Sequence, residues 1–157
     1  MKHVLQVGDV CFLYPNPRNI FSCIIPYKTN GYFSHVFQIV DVYRGDIFIA
    51  DSRFPRGVDI IRPDKLLKSR VFDVMRIDGL ITENVVEWWV MNCGRKYDWL
   101  YYIGYGLQKA HIQNPLAYTC NEAVIEAVGA SGVALSGRSP SELSKDKNLK
   151  YIATVSI

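Results

Sequence analysis

Several things are missing from this 157-residue chain, and each absence excludes something. No two of its four cysteines (Cys11, Cys23, Cys93, Cys120) form a C-x-x-C pair, so a zinc site of the usual spacing is not expected. Met1 to Val10 has no apolar core of the secretory kind, which predicts a cytoplasmic chain with reduced thiols. The longest apolar run, Trp99 to Leu107, has nine residues, too few to span a bilayer. No basic run tracks phosphates: the net charge is only +3, and Lys145, Lys147 and Lys150 read as a solvated face. A nucleic-acid partner is therefore not expected. There are no internal repeats and no low-complexity segment.

What is present is enough apolar material for a core, 49% of residues, at the length of one ordinary domain, 1–157. Val10 to Tyr14 reads as a short buried strand that Pro15 and Pro17 break. Asn19 is placed to cap a short helix through Ile25, which Pro26 ends. Strands follow at 34–43, 46–52, 57–61 and 71–77, with a turn or short helix from Arg62 through Leu67. Thr82 is expected to cap a helix reaching Cys93, where that thiol packs. A further helix runs from Trp99 to about Ala110. The stretch 130–144 reads as irregular, and 151–155 as a closing strand. Strands first, helices after and one late strand describe an α+β domain. The expected form is a small antiparallel sheet or open barrel packed against helices.

Chemistry concentrates at Tyr118-Thr119-Cys120-Asn121-Glu122. Thr119 and Glu122 have the spacing of a capping box, and Gly129 is a stop signal. Cys120 then stands in the first turn of a helix, where the dipole favours a thiolate. The alternative is a small buried hydrophobe. A thiol nucleophile needs a base. Of three histidines, His3 is terminal and His111 follows a helix, while His35 opens a strand before Val36-Phe37. It is either a site residue or a satisfied structural histidine. With Tyr43-Arg44-Gly45 as a three-residue hairpin loop, Val42 faces Asp46, Phe37 faces Asp51 and His35 faces Arg53. His35 and Asp51 then share a face as diagonal neighbours. A two-residue turn would place Asp51 on the opposite face. Asp51 is otherwise a strand-end acid capping the loop at Ser52.

The order Gly8-Asp9-Val10, Ser34-His35-Val36, an acid after the next strand, Tyr97-Asp98-Trp99, then Tyr118 to Glu122 resembles a known family. It is similar to the circularly permuted branch of the NlpC-type, papain-like cysteine hydrolases, the YiiX-like proteins. The likeness covers about Val7 to Val128 and rests on order and spacing, not on any one motif. It implies a permuted papain-like fold. Cys120 matches the nucleophile, His35 the base, Asp51 the orienting acid and Tyr97 a tyrosine that helps hold the oxyanion. Two departures stand out: Asn121 occupies a position that is commonly serine, and Asp51 one that is often glutamate or a polar residue.

The implied activity is hydrolysis of an amide bond through a thioester acyl-enzyme, with no cofactor and no metal. Peptidoglycan stem peptides or an amide conjugate are the candidate substrates. A cell-wall substrate would require release by lysis or carriage by a phage. An ester or lipid acyl hydrolase is the alternative, since Trp99, Tyr101, Tyr102, Ile103 and Tyr105 form an aromatic, uncharged stretch that either receives lipid or packs the core. A silent binding module on the same fold is the third reading. Oligomeric state has no signature in the sequence.

Overall fold

The computed structural model describes residues 4–18, 20–44, 46–63, 70–101, 114 and 116–156. Its elements in chain order are β1 (Val10–Leu13), α1 (Ile20–Thr29), β2 (His35–Tyr43), β3 (Asp46–Arg53), β4 (Gly57–Ile61), β5 (Val71–Arg76), α2 (Thr82–Asn92), β6 (Lys96–Tyr97), β7 (Ala117–Tyr118), α3 (Cys120–Gly129), α4 (Pro140–Leu143) and β8 (Lys150–Ser156). The architecture is α+β. Six strands form one antiparallel sheet in the order β4-β3-β2-β1-β5-β8, and β6 and β7 make a small parallel pair. The expectations for His3, Asn19, His111, residues 64–67 and residues 102–110 fall outside the described residues.

β1 lies near the centre of the sheet because it is apolar on both sides. Val10 and Phe12 enter one core with Val36, Val40, Ala50 and Val58 of the sheet and Trp89, Val124 and Val128 of the helices. Cys11 and Leu13 enter the other, with Phe37, Ile39, Ile49, Phe72 and Val74. A strand covered on both faces has no polar alternation to display. α3 buries Ala123, Val124, Ala127 and Val128, positions spaced to line one helical face.

Polar buttresses fasten these layers. Gln38 is fully buried and spans from the sheet to α2. Its Nε2 donates to the Gly8 carbonyl at 3.1 Å, and its Oε1 accepts from Trp89 Nε1 at 2.8 Å. Asp9 is also buried and takes a two-pronged bond from Arg76 at 2.7 and 2.9 Å. Gly8-Asp9 is thus a structural brace for the amino-terminal segment. Gly57 at φ +81 starts β4 against 95–96, where a Cβ would meet the Arg95 carbonyl oxygen at 1.9 Å.

Several local expectations are corrected. α1 runs through Pro26 to Thr29. The proline removes one helical donor, yet a further turn follows and the Gly31 amide closes on the Pro26 carbonyl at 2.9 Å. Thr82 is the first residue of α2 rather than its cap. Ile81 caps without a side-chain bond, because its side chain has no polar atom, while its carbonyl accepts from Val85 N. Cys93 is exposed instead of packed, since the backbone leaves the helix there at φ −53, ψ 136. The stretch 130–144 contains α4, capped by Ser139 with Pro140 at its first position.

Substituting Gln38→Leu should cost about 2–4 kcal/mol, since two buried partners lose their bonds. Urea denaturation of the variant against wild type measures it, and a loss within error would show that Gln38 does not brace the core.

Candidate functional site

The hairpin β2–β3 decides which side chains meet. Tyr43 pairs with Asp46, so two residues, not three, separate the strands. Arg44 takes φ 49, in the left-handed region typical of tight primed turns. Such a turn alone would send Asp51 to the far face. A register shift between Ile39 and Asp41 compensates: beyond it Ile39 pairs with Ile49 and Gln38 with Ala50. Continued, that register sets Phe37 against Asp51 and His35 against Arg53. The expected pairing holds, but through a bulge and not through a longer loop.

His35 opens β2 and Asp51 lies near the end of β3, so both stand at the same end of the sheet. Their rungs share the alternation of Phe37 and Ile49, which enter the core away from α3. They meet Cys120 because the site is at the strand ends, where the start of α3 arrives. The His35 ring and the Cys120 sulfur are hydrogen-bonded. On its other side His35 Nε2 meets Asp51 Oδ1 at 2.5 Å. With Nε2 engaged by the carboxylate, Nδ1 is left for the sulfur.

The start of α3 is built by its cap. Thr119 Oγ1 accepts from Glu122 N at 3.3 Å, and Glu122 Oε2 accepts from Thr119 N at 2.9 Å. Asn121 is buried and donates through Nδ2 to the Gly137 carbonyl at 3.2 Å. It anchors the first turn to the chain before α4. Ser52, beside Asp51, donates to the Tyr118 carbonyl at 2.7 Å. That bond ties the acid's strand to the segment entering the cysteine helix. The sequence marked Ser52 only as the end of a strand, because a contact across 66 residues has no local signature.

Burial sets the electrostatics. Asp51 is 2% exposed and Cys120 fully buried, while the His35 side chain keeps 13% exposure. Burial opposes a charged His35. The Asp51 and Cys120 charges and hydrogen bonds outweigh it and raise the imidazole from 6.5 to about 10. The ring therefore carries its proton at neutral pH. Asp51 Oδ2 is buried without a hydrogen bond, with Arg53 Nε 3.6 Å away. Elsewhere, burial, then Asp9, pushes the Cys11 thiol up, and partial burial, then Asp59, does so for Cys93.

Tyr97 lies on β6 and pairs with Tyr118, two residues before Cys120. Its ring meets Phe54 edge-on at 6.3 Å. Both line a cleft of about 310 Å³ with Lys96, Asp98, Trp99 and Leu100. Asp98 is buried and its two oxygens accept from Tyr101 N and Asn114 N. Among the described residues no three His, Cys, Asp or Glu side chains gather as a metal-ligand set, and no helix is long and apolar enough to cross a membrane.

No protein-family model matches the chain, and no curated protein matches it.

The raised His35 value gives a pH signature. In the unfolded chain the ring titrates near 6.5, and in the fold near 10. Its contribution to stability is present in full below about 6.5 and is lost as pH rises through 10. The stability gap between wild type and His35→Gln should therefore narrow from pH 6.5 to 10 in urea melts, whereas a gap constant with pH would mean that no charged pair forms.

Proposed function

We propose that the chain is a cysteine hydrolase of amide bonds, with Cys120 as nucleophile, His35 as proton carrier and Asp51 as the acid that orients it. The observation that carries this reading is the continuous contact from thiol to imidazole to buried carboxylate at a capped helix start. A permuted papain-like fold is part of the same proposal, supported by the order of the histidine strands before the cysteine helix.

The chemistry follows from the charges. His35 is protonated at neutral pH, so its ring stabilises the thiolate rather than waiting to remove the proton during attack. The sulfur adds to the acyl carbon. The oxyanion is met by backbone N–H groups at the start of α3, with Tyr97 as a further donor. His35 then gives its proton to the leaving amine and the C–N bond breaks, leaving a thioester. Water, deprotonated by the now neutral ring, adds to the thioester and releases the acid and the thiolate. Asp51 fixes the ring so that Nδ1 faces the sulfur and stabilises the imidazolium.

A second reading, hydrolysis of esters or lipid acyl groups, is favoured by one feature. Phe54, Trp99 and Leu116 are 65%, 51% and 72% exposed, a high apolar exposure beside or near the cleft.

A panel of aminoacyl amides, peptidoglycan fragments and acyl esters separates the readings. Amide turnover is expected, with an acyl mass on the Cys120 peptide, absent in Cys120→Ala. Asp51→Asn should lower kcat by at least about tenfold and add little to Cys120→Ala, since the acid acts through the other two. Ester-only turnover would favour the second reading. Binding without turnover across the panel would leave a silent module.

A further inference from the structure

At the end of the sheet that holds Cys120, cations outnumber uncommitted acids. Arg53 ends β3, and Arg56 lies in the turn that follows. Arg95 and Lys96 pack against the start of β4, where Val58 N donates to the Arg95 carbonyl at 2.9 Å. Arg56, Arg95 and Lys96 are exposed. The acids nearby already hold hydrogen-bond partners. Asp51 is committed to His35, Asp98 to two backbone amides, and Asp59 Oδ1 accepts from the Ile60 amide at 2.9 Å.

Arg53 is the inner member of this group. Among the described residues its one ion-pair partner is Asp51, approached through Nε at 3.6 Å without a hydrogen bond. An arginine serving only to clamp a carboxylate would use its fork, two parallel N–H bonds at 2.7–2.9 Å. Here the terminal nitrogens have no partner among the described residues, and the side chain is 30% exposed. The guanidinium stands beside the catalytic carboxylate with its outer edge unspent. The next residue, Phe54, forms a wall of the cleft that also holds Lys96. An oxyanion approaching this end meets a planar donor pair at Arg53, with Lys96 on the neighbouring cleft wall.

We infer that the site selects substrates bearing a carboxylate or a phosphate monoester next to the scissile acyl group, with Arg53 as the residue that binds this anion. The inference rests on the hydrolase reading, and it narrows the substrate to an anionic class. Arg53 acts on selection and not on the covalent steps, so its loss raises KM for anionic substrates more than it lowers kcat.

The test needs no turnover. Cys120→Ala protein, ¹³C-labelled in its histidine rings, is titrated with N-acetylglycine, methyl phosphate and N-acetylglycinamide while the His35 resonance is followed by NMR. Saturable shifts are expected with at least one anion and not with the neutral amide, and the anion that binds more tightly identifies the group. Arg53→Gln should weaken that binding about tenfold or more, the loss expected for a charge-assisted contact. Arg53→Lys keeps a positive charge near Asp51 and should fold, retaining part of the affinity. Equal response to the amide, no response to either anion, or anion binding unchanged in both variants would overturn the inference. Since the thiol is absent, these outcomes are independent of whether the wild type hydrolyses anything.

Discussion

The register of β2 against β3 is the constraint on which the site depends. Side chains alternate along a strand, so a slip of one residue moves Asp51 to the other face and breaks its contact with His35. The hairpin reaches the working register by two opposed departures, a tight turn at Arg44 and a shift between Ile39 and Asp41. Removing either one alone would misplace the acid. The bulge is therefore part of the site even though it begins four residues along β2 from His35.

Once that register is set, burial makes the interaction strong and demanding. Asp51 is almost wholly enclosed, and a buried carboxylate without a partner would cost several kcal/mol. The protonated His35 offsets that cost on one oxygen, and Arg53 approaches the other from the side. The same enclosure holds the proton on the imidazole at neutral pH.

Around this pair, the other polar contacts position parts that the core alone would leave loose. Ser52 ties the acid's strand to Tyr118, and Asn121 ties the first turn of α3 to residue 137. The capping box closes the helix start between them. The helix and the two strands are held by bonds within a few residues of Cys120, His35 and Asp51.

Much of the outline follows from local pattern. The alternating and apolar runs at 35–43, 46–53, 57–61 and 71–76 fold as strands because each has a face to bury. Thr119 and Glu122 specify the start of α3 by their spacing, since a capping box is a contact between neighbours. Cys120, His35 and Asp51 were visible as candidates for the same reason: residue type and position at element ends are written in the chain. Other features depended on partners distant in sequence. The turn at Arg44 and the shift that corrects it trade one residue for another, and no local signal separates that pair from a single longer loop. Pro26 stays inside α1, and Cys93 turns outward from α2, because packing and backbone direction override propensity there. The bond from Ser52 to Tyr118 and the unspent edge of Arg53 arise only when the end of β3 meets β4, β6 and the entry to α3. The sequence by itself determined most of the strands and the capped start of α3, and it marked Cys120, His35 and Asp51 as candidates. Tertiary structure decided which of them touch and how charged they are, because contact and desolvation belong to the packed chain and not to any segment of it.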